Sequence, residues 1–158
     1  MRKAQVASID LFIAITAFIF LIAATAYTWN IYNTRLAENI EYEKMELAAF
    51  QITDLMVKSQ GYPSAWEEIP AEVQVIGLAQ DDRLLSQDKV DAFMNLDYGL
   101  AKERFNIELY DYKFRLKDLA NNMLQESGLD FTGDTSIVIE RYIIFGDEKA
   151  ILEFTLWK

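Results

Sequence analysis

The 158-residue chain contains no cysteine and no histidine. Without cysteine it has no disulfide bond, no thiolate nucleophile and no thiolate ligand for a metal ion. Without histidine it lacks the imidazole of a serine–histidine–aspartate triad and the nitrogen ligand of most zinc sites. These absences argue against a hydrolase, and the sequence predicts neither an enzymatic activity nor a bound cofactor.

Basic residues are few. The chain has 15 lysines and arginines against 25 aspartates and glutamates, which gives a net charge of −10. A surface of this sign repels the phosphates of nucleic acids and the head groups of anionic lipids. The sequence therefore predicts that the protein does not bind nucleic acid.

Charged side chains are missing altogether from Leu11 to Asn33. Residues 11–29 would measure about 28 Å as a helix, which is close to the thickness of a membrane's hydrocarbon core. Leucine, isoleucine and phenylalanine dominate this run, and together they favour insertion by about 3 to 5 kcal/mol. The sequence predicts a transmembrane helix over residues 11–29.

The residues on either side of this run indicate its orientation. Arg2 and Lys3 precede it, and by the positive-inside rule they place the N-terminus in the cytoplasm. Tyr27, Trp29 and Tyr32 lie at its far end, where aromatic side chains form a belt at the membrane interface. We expect a single-pass protein whose remaining residues are extracellular.

A cleaved secretory signal is the competing interpretation of the N-terminus. The apolar run is longer than the usual core of such a signal. It also lacks an Ala-x-Ala cleavage site followed by a polar start, and the aromatic belt would have no role in a discarded peptide.

Glycine and proline are absent from Arg35 to Gln60, where good helix formers dominate. Apolar residues recur there at three- and four-residue spacings, as in a helix that packs on a sheet: Met45, Ala48, Ala49, Ile52, Leu55 and Met56. Gly61 and Pro63 follow as a helix cap and a turn. The sequence predicts one helix over residues 6–60, apolar at its start and amphipathic at its end.

Residues 61–158 are predicted to form a small extracellular α+β head. Residues 72–78 suggest a short strand, residues 86–97 a helix capped by Ser86, and residues 98–105 a second short helix. Residues 110–116 alternate between apolar and charged side chains, as an antiparallel strand does. A C-terminal hairpin turns at Gly146 with four inward residues: Ala150, Leu152, Phe154 and Leu156. The predicted fold is a long N-terminal helix packed on a small antiparallel sheet.

The stretch KAQVASIDLFIA resembles the class III signal sequence of archaeal type IV pilins. In that family a prepilin peptidase cleaves before the glutamine, on the cytoplasmic side, and leaves the apolar helix in place. The resemblance implies a basic leader at residues 1–5 and cleavage between Ala4 and Gln5. Ala7 lengthens the usual spacing between the glutamine and the acid, and counting back from the acid places the first mature residue at Val6 instead.

The same resemblance implies how the subunits would assemble. Ser8 and Asp10 match the polar and acidic positions of the signal, and the acid would pair with the amino group freed on an adjacent subunit. The apolar helix would be stored in the membrane and would then form the filament core. The residues expected to pack against equivalent helices there are Phe12, Ile15, Ile19 and Ile22.

A second resemblance covers residues 55–116, which look like the head of pilin-like proteins that carry Gly-x-Pro-x-x-Trp after the long helix. Gly61, Pro63 and Trp66 match this motif. The three residues suggest either an aromatic binding site or a structural turn in which the tryptophan folds back over the core. We favour the structural interpretation.

Three further patterns have ordinary explanations. Ser86 and Lys89 match the Ser-x-x-Lys of serine acyltransferases, but the companion motifs are missing and a helix cap accounts for the serine. Asp130 and Asp134 suggest a calcium loop, although two carboxylates alone are too few and a solvated turn is the default interpretation. The remaining acidic pairs are interpreted as solvated loop charges: Glu67-Glu68 and Asp81-Asp82.

The sequence thus predicts a structural protein, a minor or accessory pilin of an archaeal surface filament. Its expected partners are other pilin-like subunits, the prepilin peptidase and membrane lipid. The alternative is a single-pass, membrane-anchored extracellular interaction or sensor module that never polymerises.

Overall fold

The computed structural model describes residues 2–133 and 135–158, with side chains from residue 10 onward. The helices in this part of the chain are α1 (Arg2–Lys58), α2 (Gln87–Met94) and α3 (Tyr98–Phe105), with two short 3-10 helices at Trp66–Glu68 and Pro70–Glu72. The strands are β1 (Ala79–Asp81), β2 (Leu84–Leu85), β3 (Asp111–Asp118), β4 (Met123–Gly128), β5 (Ser136–Phe145) and β6 (Glu148–Trp157). By its contacts the chain divides into two units, Met1–Glu43 and Lys44–Lys158.

The first unit is the N-terminal part of α1. Apart from the half-buried Ile31, every described side chain from residue 10 to residue 43 is exposed. From Asp10 onward the helix is long and apolar enough to cross a membrane. The predicted helix over residues 6–60 is therefore present, although it begins at Arg2 and ends at Lys58.

The second unit is the head, which begins with the last turns of α1. Its six strands form one sheet in the order β1-β2-β5-β6-β3-β4. Neighbouring strands are antiparallel except β2 and β5, which run parallel and pair at Leu84 and Ile144. The predicted antiparallel sheet on a long helix is therefore present, with one parallel pair that makes the sheet mixed.

The core of the head lies between the end of α1 and the inner face of the sheet. Met45, Ala49, Ile52 and Met56 are buried on one side of α1, as their helical spacing predicted. The predicted inward residues of the C-terminal hairpin, from Ala150 to Leu156, are all buried in the same cluster, together with Tyr112, Phe114 and Leu116 of β3. Burying a side chain of this size contributes about 1.5 to 3 kcal/mol, so this cluster is the main source of the head's stability.

The hairpin turn follows from two backbone angles. Gly146 and Asp147 both have positive φ, of 58° and 68°. A two-residue turn of this kind matches the right-handed twist of the strands on either side of it. It sets the pairing of β5 with β6 from Phe145 opposite Glu148 to Ser136 opposite Trp157.

Several local predictions were wrong. Residues 72–78 do not form a strand. Within this segment Val75 forms an isolated bridge with Tyr62, and the first strand begins at Ala79. Strand β4, which is short and rich in polar residues, was not predicted. Ser86 occupies the N-cap position of α2, but its side chain makes no capping hydrogen bond.

The outer face of the sheet carries a row of paired charges. Glu153 on β6 lies opposite Arg115 on β3, and its carboxylate accepts hydrogen bonds from Arg115 and Lys117. Burial of this carboxylate works to raise its pKa, but the two cationic donors outweigh burial and hold the pKa of Glu153 below its ordinary value of 4.5. Glu153 therefore stabilises the head in its charged form.

We expect the head of the full chain, in detergent, to lose stability on acidification in the range below about pH 4.5. A carboxylate whose pKa is lowered by folding stabilises the protein above its unfolded pKa, and this contribution disappears as the pH falls through the folded value. Denaturant unfolding, followed by the fluorescence of the buried Trp66 and Trp157, measures the effect. In Glu153→Gln this decrease should be smaller, whereas the exposed-site control Glu148→Gln should behave as the wild type. If Glu153→Gln lost as much stability on acidification as the wild type, the charged form of Glu153 would not be a source of the head's stability.

Candidate functional site

One face of α1 presents apolar side chains without cover. Phe12, Ile15, Ile19 and Ile22 recur at spacings of three and four residues, which places them on the same side of the helix. Each is about half exposed or more, and Phe12 is 72% exposed. A surface of this kind is unstable in water and requires lipid or protein against it.

The polar groups within this apolar segment are satisfied by the helix itself. The hydroxyls of Thr16, Thr25 and Thr28 donate to the backbone carbonyls four residues earlier, at 2.8 to 2.9 Å. Such bonds remove the need for water at these side chains, which is the condition for placing threonine in a hydrocarbon environment.

An aromatic group ends the apolar segment. Tyr27, Trp29 and Tyr32 are each more than 60% exposed, and their ring bodies and polar tips suit a membrane interface. The segment and its aromatic end therefore have the composition and the exposure of a membrane anchor.

The predicted processing and assembly residues lie at the start of α1. The backbone is helical at Ala4, Gln5, Val6 and Ser8, but their side chains lie outside the described ones. The carboxylate of Asp10 is exposed and has no hydrogen-bond or ion-pair partner among the described residues.

The Gly-x-Pro-x-x-Trp segment forms a tightly packed turn in the head, which we name the Gly61 turn. Gly61 has a φ of +81°, and a Cβ at this position would lie 2.6 Å from the carbonyl oxygen of Val75 and 2.8 Å from the indole of Trp66. Trp66 is fully buried, and its Nε1 donates to the carbonyl of Gly77 at 2.9 Å. Glycine is therefore required both by the backbone angle and by the close packing, and the indole lies in the core rather than in a binding site.

Gly61 does not act as the helix cap that the sequence suggested. The last turn of α1 closes with a bond from the amide of Ser59 to the carbonyl of Leu55, and the Ser59 hydroxyl then accepts the amide of Gly61. Gly61 lies three residues beyond the end of the helix, where the chain must turn under Val75.

A buried lysine stabilises the Gly61 turn, a role that the sequence patterns did not predict. Lys89 on α2 is 5% exposed, and its ammonium donates to the carbonyls of Gln60 and Ser64, at 2.6 and 2.7 Å. The amine is therefore bonded to backbone oxygens on each side of Pro63 and not to Ser86. The sequence signal was a lysine directly before the apolar Val90, on the inward side of a short helix.

Comparison with protein-family models, with characterised proteins and with solved structures found no match to this chain.

The other candidate sites are not assembled into a metal or catalytic centre in the part of the chain described. Asp130 pairs with the ammonium of Lys113 at 3.2 Å, and Asp134 lies outside the described residues. Among the residues that are described, no three acidic side chains are grouped to hold a metal ion. Three of the four acidic residues predicted to be solvated loop charges are exposed: Glu68, Asp81 and Asp82. The fourth, Glu67, is half-buried.

The close packing of the Gly61 turn can be tested with a matched pair of substitutions. Gly61→Ala should destabilise the head by more than about 2 kcal/mol, because it adds both backbone strain and a collision with Val75 and Trp66. Gly146→Ala is the control, since Gly146 also has positive φ but would have nothing within 4 Å of its Cβ. It should cost only about 1 to 2 kcal/mol of strain. Denaturant unfolding of the two full-length variants measures the difference, and equal losses would mean that the close packing at Gly61 is unimportant.

Proposed function

We propose that the protein is a structural subunit, minor or accessory, of an archaeal type IV pilus-like surface filament. The observation that carries this proposal is the uncovered apolar face of α1, which precedes a folded head on the same helix. A helix of 57 residues is far longer than the head requires, because the buried side chains of α1, among those described from residue 10 onward, lie between Met45 and Val57. The preceding part of the helix is free to act as an anchor and as an assembly element.

The apolar segment has two environments in this proposal. Before assembly, lipid surrounds Phe12, Ile15, Ile19 and Ile22, with the aromatic group at the outer interface. In the filament the same side chains pack against helices of neighbouring subunits. Both states keep the segment out of water, so that transfer from the membrane to the filament conserves most of the hydrophobic stabilisation.

The charges set the orientation. Arg2 and Lys3 hold the N-terminus in the cytoplasm, and the acidic head is exported. A prepilin peptidase then removes the leader before Gln5 or Val6. The alternative of an anchored protein that never polymerises shares the membrane helix but requires neither cleavage nor filaments.

Filaments sheared from the native host should contain the protein with its N-terminus at Gln5 or Val6 and with α1 retained. Mass spectrometry of the purified filaments measures both properties, and immunogold labelling of a head epitope in electron micrographs locates the subunit. The membrane fraction of the same cells serves as the control for unassembled protein. A mature start beyond Tyr27 would indicate ordinary secretion, and an intact protein found only in membranes would favour the non-polymerising alternative.

Asp10 has a specific part in this proposal. In the membrane-anchored state its exposed carboxylate lies near the interface, in contact with water and head groups. Among the packed helices of a filament an unpaired charge is costly and requires a cation. The amino group freed by cleavage on an adjacent subunit supplies that cation.

Asp10→Ala should be inserted, cleaved and folded as the wild type but should enter filaments at least about tenfold less, because the buried amino group would be left unpaired. The ratio of filament-associated to membrane-associated protein measures this effect. Glu38→Ala is the control, since it removes an exposed acid from the same helix outside the apolar segment. Normal incorporation of Asp10→Ala would remove this residue from the assembly mechanism.

A further inference from the structure

A groove in the head is lined by the end of α1, by Arg83 and by the middle of β5. It has a volume of about 290 Å³ and is formed by Phe50, Asp54, Val57, Lys58, Arg83, Glu140, Arg141 and Tyr142. We name it the Arg141 groove. Its exposed aromatic residues and its three cations distinguish it within an acidic protein, because arginine and aromatic side chains are enriched at protein interfaces.

Arg141 is held rigidly in this groove. On β5 it lies opposite Leu152, whose side chain belongs to the core, and alternation along the strand places Arg141 on the same inner side of the sheet. Its Nε donates to the hydroxyl of the buried Thr53 at 3.3 Å, and its guanidinium carbon lies 4.4 Å from the centre of the Phe50 ring. The stacked and hydrogen-bonded guanidinium is preorganised, so little conformational entropy remains to be lost on binding.

Arg141 nevertheless has no acidic partner among the residues that the structure describes. Its Nη2 is buried without a hydrogen bond. The two acids of the groove do not pair with it, since Asp54 binds Lys58 at 2.7 Å and Glu140 makes no ion pair with Arg141. A half-buried cation without a counter-ion is costly, and a carboxylate from outside would relieve this cost.

A second groove on the head has the complementary charge. It is lined by Glu67, Glu68, Pro70, Asp88, Asp91, Ala92 and Asn95, and we name it the acidic groove. Lys89 lies 3.9 Å from Glu67, but its ammonium is occupied by two backbone carbonyls. Within the described chain, the exposed carboxylates of Glu68 and Asp88 have no cationic partner.

We propose that the Arg141 groove of one copy receives the acidic groove of a second copy, with Arg141 paired to the carboxylates of Glu68 and Asp88. The occupant is a second copy because the chain itself carries both complementary surfaces, and the two grooves share no residue. A contact between two different surfaces of identical subunits repeats from copy to copy, and it generates an open helical assembly when the rotation between copies does not close a ring. This inference rests on the proposed function and adds to it a contact between heads.

The absence of cysteine makes this contact directly measurable. Two full-length variants, Tyr142→Cys in the Arg141 groove and Asn95→Cys in the acidic groove, are co-expressed in the native host. Filaments and intact membranes are then treated with a short thiol-specific bismaleimide. We expect cross-linked dimers when the two variants are mixed, and at least about tenfold less product when either is expressed alone. Glu148→Cys, on the exposed hairpin turn, replaces Asn95→Cys as the control and should give no product with Tyr142→Cys.

The charge is tested by a third substitution. Arg141→Met in the Tyr142→Cys chain keeps an apolar contact with Phe50 but removes the cation, and it should reduce the cross-linked product at least about tenfold. Lys149→Met, which removes an exposed cation elsewhere, should have no effect. If Arg141→Met fails to fold, as judged by protease resistance, the exposed double variant Glu68→Gln/Asp88→Asn in the Asn95→Cys chain should give the same reduction.

The outcomes separate this inference from the proposed function. Filaments that contain the protein but give no mixed cross-link would overturn the head contact and leave the filament function intact. Equal cross-linking in Tyr142→Cys expressed alone would also overturn it, since the contact would then join identical surfaces. If filaments are absent and membranes give the mixed cross-link, the head contact is supported although the filament function fails.

Discussion

The need to keep the apolar face of α1 away from water governs the rest of the molecule. From Leu11 to Ile22 the helix exposes one large aliphatic or aromatic side chain after another, and no part of the described chain covers them. At about 25 cal/mol for each Å² of apolar surface, leaving this segment in water forgoes a large hydrophobic stabilisation. The segment therefore requires a membrane or other copies of itself, and the backbone-bonded threonines and the interfacial aromatics fit that requirement.

The head, by contrast, covers its own part of α1 with the inner face of its sheet. Its stability comes from the apolar cluster between α1 and the sheet. The Gly61 turn fixes the path of the chain where it leaves the helix. Lys89 and Trp66 stabilise the Gly61 turn by donating hydrogen bonds to buried backbone carbonyls, those of Gln60, Ser64 and Gly77. These bonds satisfy polar groups that would otherwise be buried without partners.

The elements with strong periodicity were predictable from the sequence. The long helix, the alternation of β3 and the inward residues of β6 follow from spacing alone, because burial on one side imposes a fixed repeat. Residues 72–78 were wrongly predicted to be a strand because most of their apolar residues are buried in the core of the head without pairing along the sheet. The polar strand β4 carries no such repeat. The contacts of Arg141 and Lys89 were not predictable, since their partners are Thr53, Phe50 and backbone carbonyls that are distant in sequence. The position of Lys89 before Val90 indicated only that it lies on the inward side of its helix.

The central claim is that other copies of the chain cover the apolar face of α1. Replacing Phe12 by a photoreactive benzoylphenylalanine tests this claim directly. The substitution keeps an aromatic side chain at the most exposed of the four positions expected to pack against neighbouring helices. Illumination of isolated filaments should cross-link one copy to another through this residue, whereas in membranes of cells that lack the assembly machinery the label should attach mainly to lipid. If the label attaches only to lipid in every fraction of assembly-competent cells, α1 is a permanent anchor and the claim is wrong.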